Sequence, residues 1–489
     1  MALIVGREEE QRKLQKIFDS KEAEFVAVYG RRRVGKTYLI RNFFDEKNCI
    51  FFQVSGIIKA KASVQLKEFK KALEETFYSQ LKSTTLETPK NWMHAFEMLH
   101  DAIKLFGGDK KVVLFFDEFP WLAIRKTQLL QAVDYYWNRY WSMMANVRLV
   151  ICGSAASWII DNILNNKAGL HNRITLKLPI EPFTLNETQI YLKSRSISYD
   201  YAQVLQLYMC LGGVPYYLKG VEGKFSAMQN VNQLCFQKSG SLLSEFDNLF
   251  SSLFNHSDAH ETIIKLMAKK PQGLARKEIA KTMMRKGGKL STWLKELEHA
   301  GFIMSFKPWG RERGGMFYKI IDEYVLFYLH WIVPYRNNLL ELESSHAYWE
   351  QLSQSPGFKA WSGYAFEAIC FKHLSKIRAA LSIPNGSPAS TWQYRAKKED
   401  ENGAQIDLLF DRPDGVMTLC EIKYANQPFR INKEYALNLK NKIEVYQKTT
   451  KTLKQIFVSM ITTYGLVESI YNEDLIVSEA KLEDFFSAN

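Results

Sequence analysis

Phe25-Val26-Ala27-Val28-Tyr29-Gly30-Arg31-Arg32-Arg33-Val34-Gly35-Lys36-Thr37-Tyr38-Leu39-Ile40 decides the fold of the first part of this chain. Five residues of β type run into a loop with Gly30 at one end and Gly35 at the other. Lys36 and Thr37 then open an amphipathic helical pattern that continues through Leu39, Ile40, Phe43 and Phe44. Strand, Gly-x-x-x-x-Gly-Lys-Thr and helix, in that order, form a phosphate cradle. The glycines let the backbone curl, so the N–H groups from Gly30 through Arg31, Arg32, Arg33, Val34 and Gly35 point inward. The helix N-terminus adds positive potential. Lys36 is expected at the β- and γ-phosphates, Thr37 at Mg²⁺ and Tyr38 beside them, with ATP as the nucleotide. The three arginines contribute backbone, their side chains lying in solvent or near phosphate.

A phosphate cradle needs a second element to hold magnesium and position water. Lys111-Val112-Val113-Leu114-Phe115-Phe116-Asp117-Glu118 supplies it. An uninterrupted apolar run suits a central parallel strand buried on both faces. Its two carboxylates fall at the C-terminal end, where α/β sheets place ligands. Asp117 is assigned to Mg²⁺ through water, and Glu118 to polarising the attacking water. Further strands are expected at Cys49 to Val54, at Arg148 to Cys152 and at Ile174 to Leu178. Ser154 follows the second of these and is the candidate polar residue beside the γ-phosphate. Arg173 stands at the start of the third.

With Val5-Gly6-Arg7 and Glu10 ahead of the loop, and Gly212-Gly213-Val214-Pro215 after the last strand, the set resembles the archaeal-type ATPases of the STAND branch of AAA+ proteins. That resemblance, and nothing in the spacing itself, implies three further roles. Arg7 would lie near the adenine, Arg173 would act as a γ-phosphate sensor or finger, and Pro215 would contact the nucleotide from a helical lid.

The chain has 489 residues, long enough for three or four domains, and its apolar and charged fractions of 46% and 24% exclude a mostly disordered chain. Its net charge of +13 favours an anionic partner. The excess is local. Residues 258–320 hold 14 Lys+Arg against 6 Asp+Glu, whereas 321–489 hold 18 against 21. Within the basic segment, three helical patterns precede a hairpin, the order of a winged helix-turn-helix. The third helix, from Lys289 to Ala300, gathers Leu290, Trp293, Leu294 and Leu297 on one face. Lys289, Ser291, Thr292 and Lys295 on that helix, with Arg311 and Arg313 in the hairpin, are the candidate DNA contacts. Packing as a structural lid is the alternative.

The last part carries a second pattern. Glu367 stands in an amphipathic helical stretch, Asp407 in Gln405-Ile406-Asp407-Leu408-Leu409-Phe410, and Glu421 and Lys423 in Met417-Thr418-Leu419-Cys420-Glu421-Ile422-Lys423. Glu421 and Lys423 are two apart, so they share one face of a strand, with Asp407 on its hairpin neighbour. Metal-dependent phosphodiester cleavage needs such a set. Glu367, Asp407 and Glu421 would bind Mg²⁺ or Mn²⁺, and Lys423 would act on the nucleophile or the transition state. The constellation resembles the PD-(D/E)xK nuclease superfamily, whose fold is restriction-endonuclease-like.

The expected fold is a multidomain α/β chain. Residues 1–180 form a P-loop ATPase core on a parallel sheet, 181–257 a helical lid and linker, 258–335 a winged helix-turn-helix, and 336–489 a nuclease-like α/β domain. The expected function is an ATP-hydrolysing switch coupled to DNA binding and Mg²⁺-dependent DNA cleavage. The rival is an ATP-dependent regulator, binding DNA or protein, with a silent nuclease fold. Self-association on ATP binding and a protein trigger are further expected partners. The six cysteines make no Cys-x-x-Cys pair, so neither a zinc ribbon nor a disulfide framework is indicated, and reduced buried thiols are expected. The N-terminus has no basic segment leading into an apolar core, and the longest apolar run is too short for a bilayer, so a cytoplasmic location without membrane contact is expected.

Overall fold

The structure is a computed structural model that describes residues 4–79, 85–124, 127–165, 170, 172–254, 257–284, 287–310, 315–341, 347–396 and 402–487. Its chain divides into two compact units, Met1–Pro182 and Phe183–Asn489.

The first unit is built on five parallel strands, β1 (Glu24–Tyr29), β2 (Cys49–Ser55), β3 (Lys111–Asp117), β4 (Val147–Gly153) and β5 (Leu176–Pro179), in the order β2-β3-β4-β1-β5. All four pairings are parallel. The apolar runs predicted as central strands are central: every residue of β4 is buried, as is β3 beyond its first residue. One face of the sheet packs a core with Phe52, Trp92, Phe96 and Leu114, and the other a core with Val28, Leu39, Ile40 and Phe44. Burying each such side chain stabilises the fold by about 2 kcal/mol. The helix after the loop, Lys36–Asp45, buries Leu39, Ile40, Phe43 and Phe44, as its 3.6-residue period requires.

One charged residue serves this core without facing water. Arg148, on β4, is fully buried. Its guanidinium donates to the carbonyls of Ile17 at 2.7 Å, Ser20 at 2.5 Å and Glu22 at 2.8 Å. These carbonyls belong to the C-terminal end of the helix Glu8–Asp19 and the turn after it, where intrahelical partners run out.

The second unit begins with helices that include Leu185–Ser194, Tyr201–Leu211, Ala227–Cys235 and Glu245–Ser251. Three helices follow, Ser257–Ala268, Arg276–Thr282 and Gly288–His299, with a small antiparallel sheet of β6 (Leu274–Ala275), β7 (Ile303–Phe306) and β8 (Phe317–Ile320) in the order β6-β8-β7. A mixed five-stranded sheet closes the chain. It comprises β9 (Ala389–Tyr394), β10 (Ala404–Asp411), β11 (Val416–Lys423), β12 (Gln455–Thr462) and β13 (Ile476–Lys481) in sequential order. β9, β10 and β11 pair antiparallel; β11, β12 and β13 pair parallel. The helix Pro356–Lys372 precedes β9, and Lys433–Thr450 connects β11 to β12.

The boundaries expected near 257 and 335 do not separate cores. One buried apolar cluster runs from Leu185 and Val204 through Leu290, Leu294 and Trp349 to Phe366, Cys420 and Phe485. His373 adds a polar tie. Its Nδ1 lies 2.8 Å from the Ile369 carbonyl, and its Nε2 accepts the Leu185 N–H at 3.2 Å. Burial lowers its pKa to about 4, which keeps the ring neutral for both bonds.

The Gly212-Gly213-Val214-Pro215 motif has a packing reason. A Cβ on Gly213 would stand 1.8 Å from the Phe183 carbonyl oxygen, and Phe183 donates its N–H to the Gly213 carbonyl at 2.6 Å. Gly212 has φ +64, and a Cβ there would meet the Glu323 carboxylate at 2.7 Å. A side chain is excluded at Gly213 by backbone atoms and disfavoured at Gly212 by the positive φ.

Candidate functional site

The C-terminal ends of β1, β3 and β4 lie at one edge of the first sheet, because Tyr29 pairs with Gly153 and Phe116 with Ile151. The loop from Gly30 starts there, so the sheet delivers both signature stretches to one place. Gly30 has φ +146 and Gly35 φ +91, conformations that L side chains rarely adopt. A Cβ on Gly30 would also fall 2.1 Å from the Ile180 carbonyl oxygen. The loop's curl therefore requires glycine at both ends.

Lys36 is buried, and its Nζ sits over the loop, donating to the carbonyls of Gly30 at 2.9 Å and Arg31 at 2.7 Å. Burial lowers its pKa, opposed by the nearby Cys152, Glu118 and Asp117. Thr37 Oγ1 donates to the Asp117 carboxylate, 3.1 and 3.0 Å from its two oxygens. Two hard oxygen groups in contact at the mouth of a phosphate loop suit Mg²⁺, which keeps few protein ligands and takes the rest from water and phosphate. Glu118, at φ 44, turns its carboxylate toward β4, where Oε2 accepts both the Ser154 N–H at 3.1 Å and the Ser154 hydroxyl at 2.8 Å. Glu118 and Ser154, which follow two different strands, are thus one hydrogen-bonded pair.

Arg7 is buried at φ 60 and clamps the same loop from behind. It donates to the Val34 carbonyl at 3.2 Å and the Glu181 carbonyl at 2.5 Å, and pairs with Glu10 at 3.3 Å. Arg32 lies over the Trp121 ring at 5.9 Å, Arg31 is buried, Arg33 takes a left-handed φ of 71, and Tyr38 is half exposed in the first helical turn. Arg173 is exposed, and Thr175, two residues on, donates its N–H to Phe25 at the start of β1. Arg173 therefore stands at the opposite edge of the sheet from the loop. The four strand residues between amount to roughly 13 Å, too far for it to sense a phosphate in its own loop. Pro215 belongs to the second unit, at the first position of the helix Pro215–Leu218.

A parallel sheet with a glycine-bounded loop, a buried lysine over it and a Thr–Asp pair at its mouth define a P-loop ATPase. Residues 4–221 match the model of an ATPase domain predominantly from Archaea. Over 494 residues, 99% of this chain and all of the relative, the protein is 25% identical to an uncharacterized protein of Methanocaldococcus jannaschii. Over 47 residues, 10% of this chain and 80% of the relative, it is 40% identical to an uncharacterized ATP-binding protein of the same organism. A solved Walker-type ATPase of Pyrococcus abyssi aligns at a TM-score of 0.48 and 21% identity, covering 67% of this chain and 96% of that one. The ORC2 protein of Aeropyrum pernix aligns at 0.40 and 14%, covering 68% and 92%.

In the second unit, Lys289, Ser291, Thr292 and Lys295 lie exposed on the helix Gly288–His299, whose buried face is Leu290, Leu294 and Leu297. Ser291 accepts a hydrogen bond from Arg276 at 2.7 Å. Arg311 and Arg313 lie outside the described residues.

The C-terminal candidates do converge, with amines and N–H groups as their partners. Asp407 Oδ2 accepts the Ile422 N–H at 3.1 Å, which sets it beside Glu421 on β11. Glu421 is buried and accepts from Lys442 through both oxygens, at 2.6 and 2.7 Å, and from the Tyr435 hydroxyl at 3.3 Å. Lys423 is 3.9 Å from the same carboxylate. Glu367 faces Lys319 of β8 at 3.8 Å. The Lys319 side chain is only 5% exposed, and its Nζ lies 3.3 Å from the Phe371 ring centroid. Burial pushes Glu367 up to about 7, against the pull of Lys319, and Lys319 down to about 8, against the pull of Glu367. Among the described residues, no three His, Cys, Asp or Glu side chains form a group that could hold a metal ion.

Lys319, Tyr435 and Lys442 escape a reading of the sequence. Lys319 lies in the hairpin strand and Lys442 in a helix rich in lysine and asparagine, and neither carries a local signal. Among the described residues, no helix is long and apolar enough to cross a membrane, and no cysteine is in a disulfide.

Proposed function

We propose that the chain is an ATP-driven switch whose second unit engages DNA. The observation that carries it is the pairing at the loop mouth, Thr37 with Asp117 and Ser154 with Glu118. Thr37 and Asp117 would hold Mg²⁺, which supplies charge neutralisation to the phosphates. Lys36 and the loop N–H groups bind and orient the same phosphates. Glu118, fixed by Ser154, is the base that orients water, and Ser154 relays the state of the site to β4. Arg173, at the other edge of the sheet, would serve a site on a second copy, in keeping with self-association on ATP binding. Arg7 and Pro215 keep their proposed nucleotide contacts.

Support for the DNA reading is the basic excess of residues 258–320 and the three-helix, three-strand order of a winged helix, with Lys289, Ser291, Thr292 and Lys295 exposed on one helix face. A role for that helix as packing only is the rival. For the last 154 residues (336–489), helix, three antiparallel strands, helix and parallel strand is the order of a restriction-endonuclease-like fold. The carboxylates engaged by amines favour the silent form of that fold over active cleavage. The deciding experiment measures ATP hydrolysis and DNA retention by the purified chain, with and without ATP, on single-stranded, duplex and branched DNA. ATP-dependent retention is the expected result; retention absent on every form would leave an ATPase that acts on a protein partner.

A further inference from the structure

The three carboxylates of the last domain meet three amines. Glu367 faces Lys319, and Glu421 faces Lys442 and Lys423, with Asp407 held between them on β10. Three negative charges against three positive give a cluster of zero net charge. If Glu367 and Lys319 share a proton so that both are neutral, the sum is unchanged. A divalent cation is drawn to a site by excess negative charge and by carboxylate lone pairs free to coordinate. Neither is present. Glu421 has both oxygens on Lys442 and a third bond from Tyr435. Asp407 has one oxygen on a backbone N–H and the other 3.4 Å from the Gln405 amide.

The origin of the amines matters as much as their number. Lys442 comes from the helix Lys433–Thr450 of the same α/β layer. Lys319 comes from β8, the strand of the small sheet that pairs antiparallel with β7. Its side chain is buried against Phe371, Phe306 and Glu367.

We propose that the C-terminal cluster is kept free of divalent metal by its own amines, with Lys319 and Lys442 as the excluding cations, and that removing them turns the carboxylates into a metal site. The element proposed to meet DNA thus supplies one of the two cations that silence the site. This rests on the nuclease-like reading of the fold only for what an admitted metal would do; the exclusion itself rests on the distances.

The test uses the full chain without nucleotide and reads bound Mn²⁺ by electron paramagnetic resonance and calorimetry. Wild type and Asp407→Asn should give superimposable isotherms, since no metal reaches Asp407 in either. The double variant Lys319→Met/Lys442→Gln should gain one Mn²⁺ per chain, at least tenfold tighter than any wild-type binding. Adding Asp407→Asn should remove that gain. A wild-type Mn²⁺ site lost in Asp407→Asn overturns the proposal, because the amines then fail to exclude metal. So does a double variant that keeps wild-type circular dichroism at the temperature of the titration and gains no ion. Should the double variant not fold, the wild-type and Asp407→Asn comparison decides alone. DNA retention measured on the same samples separates the two readings: its absence in wild type removes the DNA switch and leaves the metal isotherms to stand or fall by themselves.

Discussion

The P-loop mouth and the C-terminal cluster set carboxylates at strand ends beside lysines, yet they are opposite kinds of site. At the mouth, Asp117 and Glu118 are met by hydroxyls, from Thr37 and Ser154, and Lys36 is turned to the loop's own carbonyls. A hydroxyl shares its oxygen with a cation and adds no charge, so the carboxylates keep their attraction for metal. At the cluster, Glu421 and Glu367 are met by ammonium groups, which cancel that attraction. The two sites differ in the partner of the acid, a hydroxyl at one and an ammonium group at the other.

Four measurements break or sharpen this contrast, and the largest effect is expected at Glu118. Glu118→Gln keeps shape and leaves Asp117 in place but removes the base. Steady-state hydrolysis should fall about 10²- to 10⁴-fold with ATP binding retained; binding lost together with turnover would make Glu118 structural and blur the contrast. At the cluster the corresponding loss should be of stability. Lys442→Met leaves buried Glu421 without its closest amine, and urea unfolding should show a loss of about 3–5 kcal/mol, with ATP hydrolysis unchanged. A variant as stable as wild type would mean that Lys423 and Tyr435 suffice for that carboxylate.

Lys36→Ala comes next. Removing a charge-assisted partner of phosphate should lower ATP affinity or turnover about 10- to 100-fold, and unchanged hydrolysis would remove the assignment of the loop. The smallest effect concerns the basic helix. Lys289→Glu with Lys295→Glu should weaken DNA retention evenly across sequences and reduce the salt slope by about one for each phosphate no longer neutralised. Equal retention by both forms would favour the helix as packing only.

Local sequence carried much of this. Gly30, Gly35, Lys36, Asp117 and Glu118 were legible because their chemistry depends on backbone conformation and strand position, which short spacing encodes. The place of Arg173 was not legible, for the converse reason. Its neighbours in sequence place it before a strand, but which edge of the sheet that strand start occupies depends on parallel pairing with β1. The helices and strands of the second unit were legible as elements, whereas their common core, from Leu185 to Phe485, depends on faces meeting across hundreds of residues.

By itself the sequence determined the phosphate loop, the parallel sheet that carries it, the acidic strand end opposite and the basic segment between 258 and 320. These are properties of period, composition and backbone freedom, written within one or two turns of chain. Tertiary structure alone decided that Ser154 holds Glu118, and that Lys319 and Lys442 neutralise Glu367 and Glu421. Those pairs join residues 36, 48 and 21 positions apart, and electrostatic attraction follows distance in space, to which sequence spacing is blind.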